Sequence, residues 1–147
     1  MIVPLGDNGG IRVAADRSGP ISLDVAGYVA AGDSSDVHPV VPRTLIGDGV
    51  RLNKGDASTI SVRGRAGVPS DATAVVVQLT GSSSKAPGRL MLWPRGASEP
   101  SSADLIVPAG GARDTLAVMR LGKGGDLRVR SKDSTLRANL SVIGWIR

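Results

Sequence analysis

Residues 121–146 read LGKGGDLRVRSKDSTLRANLSVIGWI and contain two runs in which apolar and polar side chains alternate. Residues 127–129 are Leu-Arg-Val, and residues 138–142 are Ala-Asn-Leu-Ser-Val. A period of two residues places the apolar side chains of a strand on one face and the polar ones on the other. The stretch therefore predicts two β-strands, each with one buried face.

A closely similar stretch occupies residues 5–29 at the beginning of the chain. One residue of slippage in the turn aligns the two, and the matches fall on glycines and alternating aliphatic residues, where backbone geometry and burial restrict the choice. The matched positions include Gly6 with Gly122, Gly9 with Gly125, Arg12 with Arg128, Val25 with Val142, and Tyr28 with Trp145.

This duplication predicts a tandem-repeat protein in which the tail of one copy precedes a complete one. We expect residues 1–29 to form the terminal hairpin of a preceding repeat, residues 30–37 a linker, and residues 38–147 a complete β module. The hairpin would expose apolar strands, so we expect it to pack on the module, in the same chain or by exchange with another. The chain is then expected to be a fragment of a longer protein.

Composition supports an all-β fold with an aliphatic core. The chain has 147 residues, 20 glycines, 9 prolines and no phenylalanine. We predict an antiparallel two-sheet sandwich of about eight to ten strands, with no helix beyond a turn. Residues 74–79 are the best candidate for a central strand covered on both faces, and residues 116–121 are the second.

A weaker internal repeat leaves an alternative fold open. Short triplets with an aliphatic residue on each side recur at intervals of roughly 40 residues. Their central residues are Arg12, Arg51, Met91 and Arg128. A β-trefoil or a β-barrel with pseudo-repeats would produce such spacing, as would any all-β chain with regular strands.

Charge and hydropathy limit the partners. The formal net charge is +5 at pH 7, and most basic residues stand at alternate positions, as on the solvated face of a sheet. The aromatic residues, Tyr28, Trp93 and Trp145, are too few for a nucleic-acid groove, so we do not expect nucleic acid as a partner. No segment approaches the roughly 20 apolar residues that span a bilayer, and we expect no membrane span.

Catalytic chemistry has little support in the sequence. His38 is the only histidine and would have to act alone as the base for a serine nucleophile. Glu99 is the only glutamate, and the aspartates occupy turns, so no carboxylate pair for glycoside hydrolysis is indicated. We predict that the protein is not an enzyme and requires no cofactor.

A calcium site near Asp7 is the one metal site that the sequence raises. The run Asp7-Asn8-Gly9-Gly10, with Asp33 and Asp36 downstream, supplies oxygen ligands of the kind that calcium uses. The same composition is typical of a tight turn, and the matching loop of the second copy carries Lys123, which would repel a cation. We expect a plain turn and no metal site.

A carbohydrate site would need an aromatic platform beside polar groups. Trp93 alternates with Met91 rather than with Leu90 and Leu92, so we expect it to face solvent. The predicted ligand-binding residues are therefore Trp93 and two arginines near it in sequence, Arg89 and Arg95. Tyr28 and Trp145 hold equivalent repeat positions and are expected to seal an edge or a contact between neighbours.

Several ordered motifs resemble a known family. Residues 62–80 (VRGRAGVPSDATAVVVQLT), residues 88–96 (GRLMLWPRG) and the ending at 142–145 (VIGW) resemble an extracellular β-rich repeat module of actinobacteria, often attached to secreted amidases, peptidases and other hydrolases. The resemblance implies an accessory role in a secreted or cell-surface protein.

Two functions follow as hypotheses. The favoured one is a non-catalytic extracellular module that binds a cell-envelope polymer or carbohydrate, or that spaces and anchors a secreted enzyme. The alternative is a structural module for protein-protein interaction or self-assembly, with neighbouring repeats or another protein as partners.

Overall fold

Two antiparallel four-stranded sheets pack face to face in the computed structural model, which describes residues 8–15, 18–19, 36–83 and 85–147. The predicted all-β sandwich is confirmed, and the sheets do not close into a barrel. Within the described residues the sole helical segment is a 3₁₀ turn at Lys123–Gly125. The strands are β1 (Val37–Leu52), β2 (Ala57–Ser61), β3 (Ala74–Ser82), β4 (Gly88–Pro94), β5 (Leu105–Val107), β6 (Ala112–Arg120), β7 (Asp126–Ser131) and β8 (Leu136–Ile146).

The chain passes back and forth between the two sheets. The first sheet has the order β1-β8-β3-β6 and the second has the order β2-β7-β4-β5. Strands β7 and β8, which form the C-terminal copy of the duplicated stretch, therefore lie in opposite sheets and do not pair with each other. Each takes its partners from distant parts of the chain: β8 lies between β1 and β3, and β7 lies between β2 and β4.

This topology bears on the hairpin predicted at residues 1–29. Residues 10–15 form no strand, and Ile11 and Val13 are 39% and 54% exposed. Residues 20–35, which include the rest of that hairpin and most of the linker at 30–37, lie outside the described residues. If the first copy paired as the second does, its two strands would belong to opposite sheets rather than to one hairpin. The terminal hairpin and its packing on the module remain a prediction.

The core between the sheets is aliphatic, as the composition predicts. Every second residue of the inner strands points into it, and Val142 lies opposite Val77 across the β3–β8 pair. Burying such side chains contributes roughly 25 cal/mol for each Å² of apolar surface removed from water. The largest fully buried side chains of this core are Leu52, Leu79, Leu90, Leu92, Leu127, Leu136, Leu140, Val62, Val75, Val77 and Val107.

The two predicted central strands differ in outcome. Strand β3 lies inside the first sheet, and its first four residues are all buried, so that prediction is confirmed. The prediction for residues 116–121 is wrong, because β6 is an edge strand among the described residues and Leu116 is 45% exposed. An apolar run does not distinguish a strand with two neighbours from a strand with one.

Candidate functional site

The outer surface of the second sheet gathers most of the side chains that could bind a ligand. In β4, Leu90 and Leu92 enter the core, so Met91 and Trp93 point to the opposite side. The predicted pairing of Trp93 with Met91 on one face is therefore correct. In β7, Leu127 and Val129 enter the core and the arginines between and beyond them point outward. We use the name basic face for the outward-facing residues Arg89, Met91, Trp93, Arg128 and Arg130 together with Lys132, which follows the end of β7.

Strand register places Trp93 beside two arginines. Trp93 lies opposite Arg128, and Met91 lies opposite Arg130. The guanidinium carbons of Arg128 and Arg130 are 5.8 Å and 5.9 Å from the centroid of the Trp93 ring. Both distances are within the range of a cation–π interaction, which contributes about 0.5–1 kcal/mol at exposed sites and more where water is excluded.

The expectation that Trp93 faces solvent is wrong. Trp93 is only 5% exposed, although it lies on the outer side of the sheet. Its neighbour Met91 is fully buried. Trp93 therefore supports the arginines from beneath and does not present an open ring for stacking.

The loop between β4 and β5 is fixed to the basic face by carboxylates. Glu99 forms an ion pair with Arg130 Nη1. The Asp104 carboxylate accepts a hydrogen bond of 2.7 Å from the backbone N–H of Leu92, and the Asp104 N–H donates to the carbonyl of Leu90 at 3.0 Å. The Glu99 contact therefore holds the middle of the loop against β7, and the Asp104 contacts hold its end against β4.

Burial of Asp104 gives the fold a testable pH dependence. Desolvation raises the pKa of the Asp104 carboxyl above its ordinary value of 3.8, although the hydrogen bond from Leu92 opposes this. The folded state thus holds the proton more tightly than the unfolded state, so this contribution to stability is complete below 3.8 and is lost as the pH rises through the raised pKa. Replacing Asp104 with asparagine removes the charge and keeps an oxygen that can accept from Leu92.

We expect the melting temperature of Asp104→Asn, relative to the wild type, to rise as the pH increases from about 3 to about 6. Thermal unfolding of both proteins across this range measures the difference. The opposing effect of Asp133, whose pKa is lowered by its hydrogen bond with Arg89, is present in both proteins and cancels. A difference that stays constant with pH would contradict the assignment.

The two arginines predicted from sequence lie at opposite ends of β4, and each is engaged by a carboxylate. Arg89 binds Asp133 through two hydrogen bonds, Nε to Oδ2 at 2.6 Å and Nη2 to Oδ1 at 2.7 Å. Arg95 Nη1 contacts Asp126 Oδ2 at 2.6 Å. Arg89 shares the basic face with Trp93, whereas Arg95 follows the end of the strand. Their role in ligand binding remains a prediction.

Arg128 is the functional candidate that the sequence analysis did not single out. It is half-buried over Trp93, and within the described ranges no carboxylate lies at ion-pair distance from it. Its Nε is buried and has no hydrogen-bond partner among the described residues. One sequence signal pointed to it, since Arg128 matches Arg12 in the duplicated stretch.

Beyond Arg128, the cations continue along β7. Arg128 and Arg130 lie on either side of the core-facing Val129, about 7 Å apart, and Lys132 follows directly after the end of β7 at Ser131. Asp133 lies near Arg89, Lys132 and Lys54, which makes one carboxylate for three cations at that end of the sheet. The basic face is therefore net positive.

The other features raised by the sequence do not form a site among the described residues. His38 belongs to β1 and stacks on Trp145 of β8, with ring centroids 3.8 Å apart. No group of three or more His, Asp or Glu side chains in these ranges is placed to hold a metal ion. Asp7 and Asp33 of the suggested calcium site are outside the described residues.

A separate cleft of about 260 Å³ opens between β1 and β2. It is lined by apolar residues such as Leu45 and Ile60 together with Ser58, Ser61 and Arg65. Its walls contain none of the predicted ligand-binding residues and no aromatic side chain. We therefore take the basic face as the candidate site.

The comparisons with known proteins add no family. No protein-family model matches the chain, and a search of curated proteins finds no similar sequence. In the parts of the chain that the structure describes, no helix has the length and apolarity to span a membrane.

Proposed function

We propose that the chain is a non-catalytic, secreted or cell-surface module that binds an anionic cell-envelope polymer through its basic face. The observation that carries the proposal is the row of cations formed by Arg128 and Arg130 of β7 and by Lys132 just after it, in which Arg128 has no carboxylate partner among the described residues. Regularly spaced cations on a strand suit a polymer whose phosphate or carboxylate groups also repeat. The resemblance to actinobacterial extracellular modules supports the same role.

Electrostatics explain why Arg128 would contribute more than Arg89 or Arg95. A cation that already has a carboxylate partner must give up or share that partner to bind an anion. Among the described residues Arg128 has no such partner and is held over Trp93, so an incoming phosphate or carboxylate gains two parallel N–H donors from a guanidinium that is already oriented. Lys132 extends the same line toward the end of the sheet.

Removing two charges from this line tests the proposal. We expect the double variant Arg128→Gln/Lys132→Gln to bind isolated cell walls at least about tenfold more weakly, since each lost contact contributes on the order of 1 kcal/mol in water. Co-sedimentation with walls, before and after acid extraction of their anionic polymers, measures the effect. Binding by the wild type should fall with extraction and with added salt.

A matched control removes the same charge elsewhere. Arg51 in β1 and Arg113 in β6 are exposed, form no ion pair among the described residues and belong to the other sheet. We expect Arg51→Gln/Arg113→Gln to lose less than about twofold in affinity. Equal losses in the two double variants would indicate attraction by net charge alone and would reject the basic face as the site.

A further inference from the structure

The outer edge of β6 differs from the other three sheet edges that the described strands form. Strand β1 is protected by Pro39 and Pro42, which lack an N–H donor, and by three shifts in its register with β8. Strands β2 and β5 are short, with five and three residues. Strand β6 has nine residues, no proline or glycine, and nine consecutive pairs with β3 without a bulge.

Nothing among the described residues pairs with the outer edge of β6. Every second backbone N–H and C=O of this strand is therefore directed away from the sheet. The side chains on the outer face of the sheet follow the same alternation and are Ala112, Asp114, Leu116, Val118 and Arg120. Leu116 is 45% exposed, which is unusual for a large apolar side chain in the middle of a strand.

The sequence of this edge is complementary to itself in one antiparallel register. When Ala117 lies opposite Ala117 of the partner subunit, Asp114 lies opposite Arg120 of the partner subunit, and Leu116 lies opposite Val118 of the partner subunit. Two-fold symmetry repeats both pairs, so the contact contains two opposite-charge pairs and two apolar pairs on one face. A register with Leu116 at the centre would place Asp114 opposite Val118 of the partner subunit and would lose both opposite-charge pairs.

We propose that β6 is a self-association edge, through which two copies of this chain form a continuous eight-stranded antiparallel sheet. A second copy is favoured over an unrelated strand because the charges and apolar residues of β6 match their own reversed order. The dimer leaves the basic face free, since that face belongs to the other sheet. The inference does not depend on the proposed function.

A charge exchange tests the register. We expect the full-length chain to show a concentration-dependent monomer–dimer equilibrium in analytical ultracentrifugation. Asp114→Arg and Arg120→Asp should each raise the dimer Kd about tenfold, because two attractive pairs become repulsive. The double variant should return to within about threefold of the wild type, since it restores opposite charges with reversed polarity.

Arg51→Asp, which makes the same charge change on β1, should leave the dimer Kd within about twofold of the wild type. A chain that stays monomeric up to about 1 mM overturns the proposal, and so does a double variant no better than the single ones.

Cross-linking provides a second measurement that does not rely on charge. The chain contains no cysteine, so one introduced thiol reports one position. In the proposed register the Cβ atoms of Ala117 and its symmetry mate lie about 5 Å apart, and mild oxidation of Ala117→Cys should give a disulfide-linked dimer. The two copies of residue 115 would be about 14 Å apart, so Thr115→Cys should remain largely monomeric. Equal cross-linking of both variants, or of neither, would overturn the proposed register.

Discussion

Replacing Gly122 with alanine is expected to destabilise the fold by about 3 kcal/mol or more. A Cβ at this position would lie 2.2 Å from the backbone nitrogen of Arg95 and 2.3 Å from its carbonyl oxygen. The clash involves backbone on both sides, because Gly122 N–H also donates to the carbonyl of Asp126 at 3.0 Å. Relief would require the β6–β7 connection to move away from the end of β4, and thermal unfolding should show a midpoint lower by roughly 10 °C.

Gly10→Ala is the matched control for Gly122→Ala. The same methyl group at Gly10 would meet no atom of the described residues within 4 Å. We expect its unfolding midpoint to differ little from the wild type, with a change in stability within about 0.5 kcal/mol. If the two variants unfold at the same temperature, the close crossing at Arg95 is not a feature of the folded protein in solution.

Gly122 also shows what the sequence could and could not provide. Its match with Gly6 marked it as a position where geometry restricts the residue. The reason is not a turn with positive φ, since Gly122 has φ −87°, but the approach of another strand end that is distant in sequence. Repetition within one chain reveals that a position is constrained, whereas the cause requires the packing of two segments.

Strand faces were largely predictable, because a period of two residues assigns each side chain to one side of a sheet. This logic placed Trp93 with Met91 and placed Arg128 away from Leu127 and Val129. It could not show that the outer side of β4 is buried. That burial depends on the register between β4 and β7 and on the loop that brings Glu99 to Arg130, and neither is encoded by local alternation.

The candidate site was predictable only in part for the same reason. Arg89 and Arg95 were chosen for their closeness to Trp93 in sequence, but in an extended strand four residues span about 14 Å. Arg128 is 35 positions from Trp93 in the chain and lies directly opposite it in the sheet. Neighbours across a strand pair matter more for a binding face than neighbours along the strand.

Replacing Trp93 with alanine is expected to destabilise the protein by about 3 to 5 kcal/mol, the usual cost of removing a buried indole. Trp93 is 5% exposed, and its ring is the surface on which Arg128 and Arg130 rest. Trp145→Ala, the same substitution at a half-buried site, should cost less. Denaturant unfolding of the two variants measures the difference, and a larger loss at Trp145 would contradict the burial of Trp93.

Binding measured on folded protein separates a supporting role from a stacking platform. A solvent-facing platform would contribute affinity and little stability, so its loss would abolish binding in a protein that unfolds like the wild type. Trp93 has the opposite character, because it is covered by the arginines that would contact the ligand. At a temperature where Trp93→Ala remains folded, we expect its affinity for cell walls to fall by less than in Arg128→Gln/Lys132→Gln, since both cations remain. If Trp93→Ala lost binding but kept wild-type stability, Trp93 would instead be the residue that contacts the polymer, and the arginines would only position it.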